Sequence, residues 1–325
     1  MRKILSIFLV TLPLLSVAQF APPAGQEGTT AMHCDSSAFV AWATGCVVER
    51  GPMRIDKPSL GLASYGVDAD GIGKPDGESL VSLGDGGNAI LTFESPICNG
   101  PGPDFAVFEN PLENAQQPGY YFLEMGFVEV SSDGVNYVRF PAISRIPFDT
   151  QVGSFGCVLP ELVHNLAGKY APLYGTPFDL DELPDDPAVD KNRITHVRIV
   201  DVVGNIDPEY ATYDSEGNIV NDPWPTPFPS SGYDLDGVGV VHDVAHSSSV
   251  DDHTVSGMLV YPNPVQNTLS VKVDNLTSIT IYSLTGQQIL ESETTSLDVS
   301  YLQPGVYFAR IVANGTVIVN KFVKK

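Results

Sequence analysis

Basic residues are scarce in this chain of 325 residues. Lysine and arginine together number 17 against 39 aspartates and glutamates, which gives a formal net charge of -22. Residues 258–325 are nearly neutral, so the negative charge belongs to the part that precedes them. Such a surface repels nucleic acid and anionic membranes, and we exclude nucleic acid as a partner. The acids either solvate the surface, bind hard cations such as calcium, or do both.

Long apolar runs are also missing, apart from one at the start of the chain. The run Ile4–Leu15 follows two basic residues and precedes the small residues Ser16 and Ala18. This order is typical of a secretory signal peptide, and the run is shorter than the roughly 18 residues that span a bilayer. We predict a signal peptide at residues 1–18, export, and no transmembrane segment in the mature chain.

The sequence lacks the short motifs of common catalytic sites. It contains no GxSxG nucleophile motif, no HExxH zinc motif and no phosphate-binding P-loop. Carboxylate pairs for glycoside hydrolysis could hide among so many acids, but their abundance makes any choice of pair arbitrary. We therefore predict no catalytic residues and a protein that is not an enzyme.

Cysteine is rare, and no two cysteines form a CxxC motif. The four cysteines are Cys34, Cys46, Cys98 and Cys157. An even number in an exported chain predicts two disulfides. Three pairings are possible, and we favour Cys34–Cys46 with Cys98–Cys157 because a local bridge would fasten the N-terminal segment.

Short runs of β-forming residues, separated by Gly, Pro, Asn and Asp, recur along the chain. The clearest runs are Leu80–Leu83, Ala89–Glu94, Phe105–Glu109, Phe122–Ser131, Tyr137–Phe140, Ile194–Val203 and Tyr233–Val241. Helical periodicity is nearly absent, and the one candidate helix is Leu159–Leu166. We predict an all-β protein in which residues 19–242 form a β-sandwich of two sheets.

A linker and a second unit follow the predicted sandwich. Residues 243–257 contain a serine run and few apolar residues, which is typical of a linker. Residues 258–325 contain five or more short β-forming runs with turn residues between them and no cysteine. This pattern predicts a small Ig-like β-sandwich.

The second unit carries the sequence features of a known sorting signal. These features are Tyr261-Pro-Asn-Pro-Val265, the run Ile279–Leu284, Leu302-x-Pro-Gly-Val-Tyr-Phe308 and the closing segment Lys321–Lys325. Through them, residues 258–325 resemble the type A C-terminal sorting domain of the type IX secretion system. The resemblance implies passage through the outer membrane by that machinery and, usually, removal of the domain and attachment to surface polysaccharide.

The first unit resembles a different group of proteins. The segments Asn99–Asn110, Thr195–Gly204 and Ser231–Val240 are similar to segments of a widespread group of exported "cell surface proteins" with assorted C-terminal sorting signals. The resemblance covers most of residues 47–242 and implies a jelly-roll-like sandwich. The group has no activity that we can name, so the resemblance transfers no catalytic residue.

Four acidic residues are candidates for a calcium site. Asp234 and Asp236 lie two apart on a predicted strand, so both carboxylates would point to one face. Calcium would neutralise their repulsion, and Asp104 and Glu109 are candidate co-ligands if their strand lies nearby. In the alternative interpretation these aspartates only bond to their own backbone in turns. A calcium ion here would hold loops together.

Two aromatic residues are candidates for ligand binding. Trp224 and Phe228 alternate with prolines in residues 222–229, so this segment must be stiff and extended. Aromatic rings on such a segment could bind a sugar ring or another flat apolar ligand. In the alternative interpretation Trp224 fills one end of the sandwich.

These features together predict a binding or adhesion protein that is displayed at the cell surface and stabilised by calcium. Carbohydrate is the expected ligand class. Two alternatives stay open: an accessory protein for nutrient or cofactor uptake through an outer-membrane transporter, and a hydrolase that acts on glycans.

Overall fold

The computed structural model describes residues 20–246, 259–273, 275–283, 287–313 and 316–325. The predicted signal peptide and most of the predicted linker, residues 247–257, lie outside these ranges. The chain divides into two units between Ser247 and Ser248. Within the described ranges, no helix has the length and apolar character needed to cross a membrane.

Within residues 20–246, the first unit contains seventeen short strands and four short 3-10 helices. The strands are β1 (Met32–His33), β2 (Ala41–Trp42), β3 (Gly45–Glu49), β4 (Val81–Ser82), β5 (Asn88–Ile97), β6 (Phe105–Phe108), β7 (Leu112–Glu113), β8 (Tyr121–Phe122), β9 (Gly126–Ser131), β10 (Val138–Arg139), β11 (Ile143–Ser144), β12 (Val163–His164), β13 (Leu166–Ala167), β14 (Tyr174–Phe178), β15 (Ile194–Asp201), β16 (Asp234–Leu235) and β17 (Gly237–Val240). The helices are Pro58–Leu60, Asp68–Gly71, Pro160–Leu162 and Leu180–Glu182.

Two antiparallel sheets enclose the main core of this unit. A five-stranded sheet has the order β1-β14-β6-β17-β2, and a six-stranded sheet has the order β10-β9-β15-β5-β3. Because successive strand residues point to opposite faces, Phe105 and Val107 of β6 point into the core, where they meet Val197 and Ile199 of β15. The predicted all-β sandwich is thereby confirmed.

Strand β9 is buried on both faces, although one face of an antiparallel sheet is commonly solvated. Val128 and Val130 point into the core between the sheets, whereas Phe127 joins a second apolar cluster. That cluster includes Ile146 and Val163, so the chain segment after β10 covers the outer face of the six-stranded sheet. The same segment later contributes residues to the candidate site.

The candidate helix Leu159–Leu166 is not formed. Only Pro160–Leu162 makes a 3-10 turn, and the chain then extends into β12 and β13. Strand β12 pairs with β11, and Leu166 of β13 pairs with Phe127 of β9. Backbone hydrogen bonds to these two strands therefore take the place of the helical hydrogen bonds that were predicted for this segment.

The two predicted disulfides are not formed, because no bridge joins any two of the four described cysteines. Cys34 lies with Phe108 on the outer face of the five-stranded sheet, whereas Cys46 packs against the core between the sheets. The chain crosses from one sheet to the other between these two cysteines, which keeps their side chains on different faces.

Cys98 and Cys157 are separated along the strand direction. The amide of Cys98 donates to the carbonyl of His242, whose ring contacts the residue before β6, Asp104. Cys157 instead borders a pocket with Asn110, which lies beyond the other end of β6. The pair therefore lies near opposite ends of the sandwich.

The second unit is a smaller β-sandwich with its own core. Its strands are β18 (Leu259–Tyr261), β19 (Thr268–Lys272), β20 (Leu276–Ser283), β21 (Gln288–Ser292), β22 (Ser296–Asp298), β23 (Gly305–Ala313) and β24 (Thr316–Lys324). They form a three-stranded sheet, β18-β19-β22, and a four-stranded sheet, β21-β20-β23-β24. Leu269, Ile281, Ile311 and Phe322 pack together in the core.

The aromatic part of the main core yields a stability prediction. Phe105 is fully buried, and its ring stacks on Phe178 with centroids 5.4 Å apart. The substitution Phe105→Ala should lower the free energy of unfolding by about 3–5 kcal/mol, because it removes buried apolar surface and leaves a cavity. Urea unfolding followed by tryptophan fluorescence measures this, since both tryptophans, Trp42 and Trp224, lie in the first unit.

The matched control is Phe148→Ala, because the side chain of Phe148 is 46% exposed. This substitution should change the free energy of unfolding by less than about 0.5 kcal/mol. Equal losses in the two variants would contradict the assignment of Phe105 to the core.

Candidate functional site

Strand β6 separates two groups of acidic residues. Asp104 immediately precedes the strand and Glu109 immediately follows it. Five residue steps along a strand separate their backbones by roughly 17 Å. The structure therefore does not bring Asp104 together with Glu109, so one ion cannot bind both carboxylates.

Asp104 connects three chain segments through its fully buried carboxylate. Its Oδ1 accepts a hydrogen bond from the amide of Gly100 at 2.7 Å and lies 2.8 Å from Nδ1 of His242. Its Oδ2 accepts from the amide of Leu180 at 2.7 Å. These contacts satisfy both oxygens, which makes Asp104 a structural residue.

At the other end of β6, three acidic side chains converge into what we call the acid cluster: Glu109, Glu124 and Asp234. Their carboxylate oxygens lie within 4.8 Å of one another. Glu109 is 3% exposed, and Glu124 and Asp234 are each 7% exposed. Asp234 accepts a short hydrogen bond from the hydroxyl of Ser82. Oε2 of Glu109, in contrast, is buried and has no hydrogen-bond partner among the described residues.

Burial and mutual repulsion set the protonation of the acid cluster. Burial, followed by the charge of Asp234, raises the pKa of Glu109 well above its usual value. Burial, followed by the charges of Asp234 and Glu109, does the same to the pKa of Glu124. Burial also raises the pKa of Asp234 to about 7, against the opposing effects of Ser82 and Arg50. Close carboxylates cannot all stay ionised without compensation, so the cluster must bind protons or a cation.

Asp236 does not share the surroundings of Asp234, although a common face was predicted. Its Oδ2 accepts from the amide of Gly77 at 3.0 Å, and burial raises its pKa to about 6. The chain changes partner strands between the two residues, because β16 pairs with β4 and β17 pairs with β6. This change of partner interrupts the simple alternation of a continuous strand.

Three further buried acids lie beside the acid cluster: Asp85, Asp201 and Asp222. Together with Glu124 they line a small enclosed cavity of about 10 Å³, close to the space needed for one water molecule. Burial, as the largest cause, raises the pKa of all three. Some of the many acidic residues of the first unit therefore lie in its interior and not on its surface.

Sequence reasoning missed Glu124, which completes the acid cluster. Two acids, Glu124 and Glu129, interrupt the predicted apolar run, and they have opposite environments. Glu129 forms ion pairs with Arg139 and Arg198. Glu124 forms none with any described lysine, arginine or histidine. The sequence shows that two acids interrupt an apolar run. Only the tertiary structure shows that Glu124, and not Glu129, lacks a basic partner.

A pocket of about 340 Å³, which we call the aromatic pocket, opens onto the acid cluster. Glu124 and Asp234 line it, together with the rings of Phe122, Phe155 and Phe228. Phe155 and Phe228 are 78% and 41% exposed, and their centroids lie 6.0 Å apart at an interplanar angle of 32°. An apolar pocket with a few polar groups is the usual form of a small-molecule site.

The two predicted ligand-binding aromatics have different environments. Phe228 lines the aromatic pocket. Trp224 does not line it; its indole N–H donates to Oδ2 of Asp85 at 2.9 Å. The guanidinium of Arg54 lies 5.1 Å from the centroid of the same ring. These contacts favour the interpretation in which Trp224 fills the end of the sandwich.

Comparisons with known proteins give little information on the first unit. No curated protein matches the chain. A solved β-1,2-glucanase from Parabacteroides distasonis is 9% identical with a TM-score of 0.27, and the match covers 89% of this chain and 37% of that one. The BSP domain of a biofilm-associated protein is 10% identical with a TM-score of 0.18, covering 73% and 48%. The chain thus spans less than half of either structure, and scores this low support no functional conclusion.

The second unit gives a clear result. Residues 259–325 match the family model described as "Secretion system C-terminal sorting domain". The match covers almost all of the segment that the sequence motifs delimited. This type IX sorting tail indicates a secreted protein that is attached to the outer cell surface.

Proposed function

We propose that the first unit is a surface-displayed binding or adhesion module that binds carbohydrate in the aromatic pocket. The observation that carries this proposal is the pair of exposed rings, Phe155 and Phe228, at a pocket that acidic side chains also line, the exposed Glu113 among them. A sugar ring has apolar C–H faces and polar hydroxyl edges. The rings suit the faces, and carboxylates accept strong hydrogen bonds from the hydroxyls.

The charge of the protein restricts the expected ligand to neutral glycans. The chain carries a net charge of -22, and three acidic side chains, Glu113, Glu124 and Asp234, line the aromatic pocket itself. Like charges across a binding interface disfavour association, which argues against sulfated or uronic-acid glycans. A neutral oligosaccharide avoids this cost.

A hydrolase that acts on glycans is the second candidate, because carboxylate oxygens of Glu124 and Asp234 lie within 4.8 Å of each other. Retaining glycosidases hold their two carboxyl groups about 5–5.5 Å apart. However, each of these residues is only 7% exposed, and a glycosidic oxygen must reach both carboxylates. Burial therefore favours binding over hydrolysis.

The rings of the aromatic pocket provide the first test. In the mature chain, Phe155→Ala and Phe228→Ala should each weaken binding of a neutral oligosaccharide at least about tenfold, because each removes an exposed aromatic contact worth about 1.4 kcal/mol or more. A glycan array would identify the oligosaccharide, and calorimetry would measure its affinity. Phe148→Ala is the matched control, since Phe148 is also exposed but does not line this pocket.

Failure to bind any neutral glycan would contradict the proposal. Binding of a small nutrient or cofactor instead would favour the role in uptake. Release of reducing sugar that disappears in Glu124→Gln would favour the hydrolase.

Trp224 gives a contrasting prediction. Trp224→Phe should lower the free energy of unfolding by about 1–3 kcal/mol, because the buried carboxylate of Asp85 loses its indole donor. Glycan affinity should not change. Thermal unfolding followed by circular dichroism, together with calorimetry, measures both effects. Trp42→Phe is the control, because Trp42 packs against Phe39 and Phe108 and its loss leaves no buried acid without a donor.

Reduced glycan affinity in Trp224→Phe, but not in Trp42→Phe, would contradict this prediction and would show that Trp224 belongs to the binding site.

The sorting tail gives a third prediction. In a bacterium with a type IX secretion system, deletion of residues 259–325 should retain the first unit inside the outer membrane, because the tail is the segment that matches the sorting family. Protease digestion of whole cells should degrade the full protein and spare the truncated one. The full-length Phe228→Ala variant is the control and should reach the surface normally. Surface exposure of the truncated chain would contradict this role.

A further inference from the structure

We propose that the acid cluster binds a calcium ion at the base of the aromatic pocket, and that hydroxyl oxygens of the bound ligand complete the coordination of that ion. The first part rests on the cluster alone. The second part rests on the carbohydrate-binding function proposed above.

The spacing of the acid cluster fits a single calcium ion. Calcium binds oxygens at about 2.3–2.6 Å, so two of its ligand atoms can lie at most about 4.6–5.2 Å apart. The ligand oxygens of Glu109, Glu124 and Asp234 all lie within 4.8 Å of one another. The fold thus already holds three carboxylates, from three different chain segments, at a separation that one ion can bridge.

The unpartnered oxygen of Glu109 points to the same conclusion independently of the spacing. Glu109 is 3% exposed, and its Oε2 accepts no hydrogen bond within the described part of the chain. Other buried acids of this unit are satisfied: Asp104 by two amides and His242, and Glu129 by Arg139 and Arg198. A buried carboxylate oxygen without a partner is costly, and a coordinated cation removes that cost.

No basic side chain of the described residues takes the place of the cation. None of them forms an ion pair with Glu109, Glu124 or Asp234. Arg50 is close enough to lower the pKa of Asp234. However, its guanidinium donates to the carbonyl oxygens of Tyr65, Gly66 and Ser82, which fixes it in another direction.

The aromatic pocket provides both the entry path and the remaining coordination positions. Glu124 and Asp234 line the pocket, whereas Glu109 does not. With one oxygen from each residue, the acid cluster supplies three ligands, whereas calcium takes six to eight. The open positions therefore face the pocket, where two neighbouring hydroxyls of a sugar ring can bind the ion while Phe155 or Phe228 contacts the ring.

Calcium binding is tested on the full mature chain after chelator treatment. Equilibrium dialysis should show one bound calcium ion in the wild type. The affinity for this ion should fall at least about tenfold in Glu109→Gln and in Asp234→Asn. Free calcium at 100 times its dissociation constant should raise the melting temperature of the wild type by about 5–10 °C, with a smaller effect of magnesium at equal concentration. Both variants should melt no lower than the calcium-free wild type, because each replaces a buried ionisable carboxyl group with a neutral amide of the same shape.

Glu129→Gln is the matched control, since Glu129 is equally buried but already paired with arginines. This variant should be less stable and yet keep the full calcium-induced shift. Absence of calcium binding in the wild type, or the same loss in Glu129→Gln as in Glu109→Gln, would overturn the proposal.

The second part is tested by repeating the glycan measurement in calcium and in chelator. We expect affinity to fall at least about tenfold in chelator and in Glu109→Gln, while Glu129→Gln keeps it. Calcium binding without any glycan binding would support the ion and defeat the carbohydrate function. Glycan binding of equal affinity in chelator would support the function and overturn the role of the ion in recognition.

Discussion

The burial of negative charge beyond the end of β6 is the constraint on which the rest of this molecule depends. Glu109, Glu124 and Asp234 occupy one small volume; burial raises the pKa of each, and repulsion by neighbouring acids adds to this effect for Glu109 and Glu124. Apolar side chains of similar size would fill this volume at lower cost. A fold that keeps three acids there, next to an open pocket, is best explained by a ligand that neutralises them.

The two-sheet sandwich determines where this charge can collect. Strand β6 has an acid at each end, and the two acids have different hydrogen-bond partners. At the first end, the amides of Gly100 and Leu180 satisfy Asp104. At the second end, β16 places Asp234 beside β4, and the residues before β9 bring in Glu124. The same sequence feature, an acid next to a buried strand, is therefore structural at one end and available for binding at the other.

The all-β class and the sorting tail followed from local signals, since turn residues and short β-forming runs depend on neighbours in sequence. The disulfides did not follow, because nearness of Cys34 and Cys46 in sequence says nothing about the faces on which their side chains lie. Glu109 and Asp234 were identified from their position on strands. Glu124 was not, because its lack of a basic partner is a property of the tertiary structure alone. For the same reason the sequence alone does not decide whether Trp224 binds a ligand or fills the end of the sandwich, whereas its hydrogen bond to Asp85 favours the second interpretation.

Export and the acid cluster are linked by the chemistry of the proposed ion. Extracellular calcium modules commonly bind with dissociation constants of about 10⁻⁴–10⁻³ M, which is weak enough that they fill only where free calcium is plentiful. A cluster of three carboxylates with this affinity would hold protons, or repel itself, before secretion and gain its ion outside. The binding site of the first unit would then be completed only after the tail has delivered the chain to the cell surface, so that sorting and ligand recognition follow one another without any further switch.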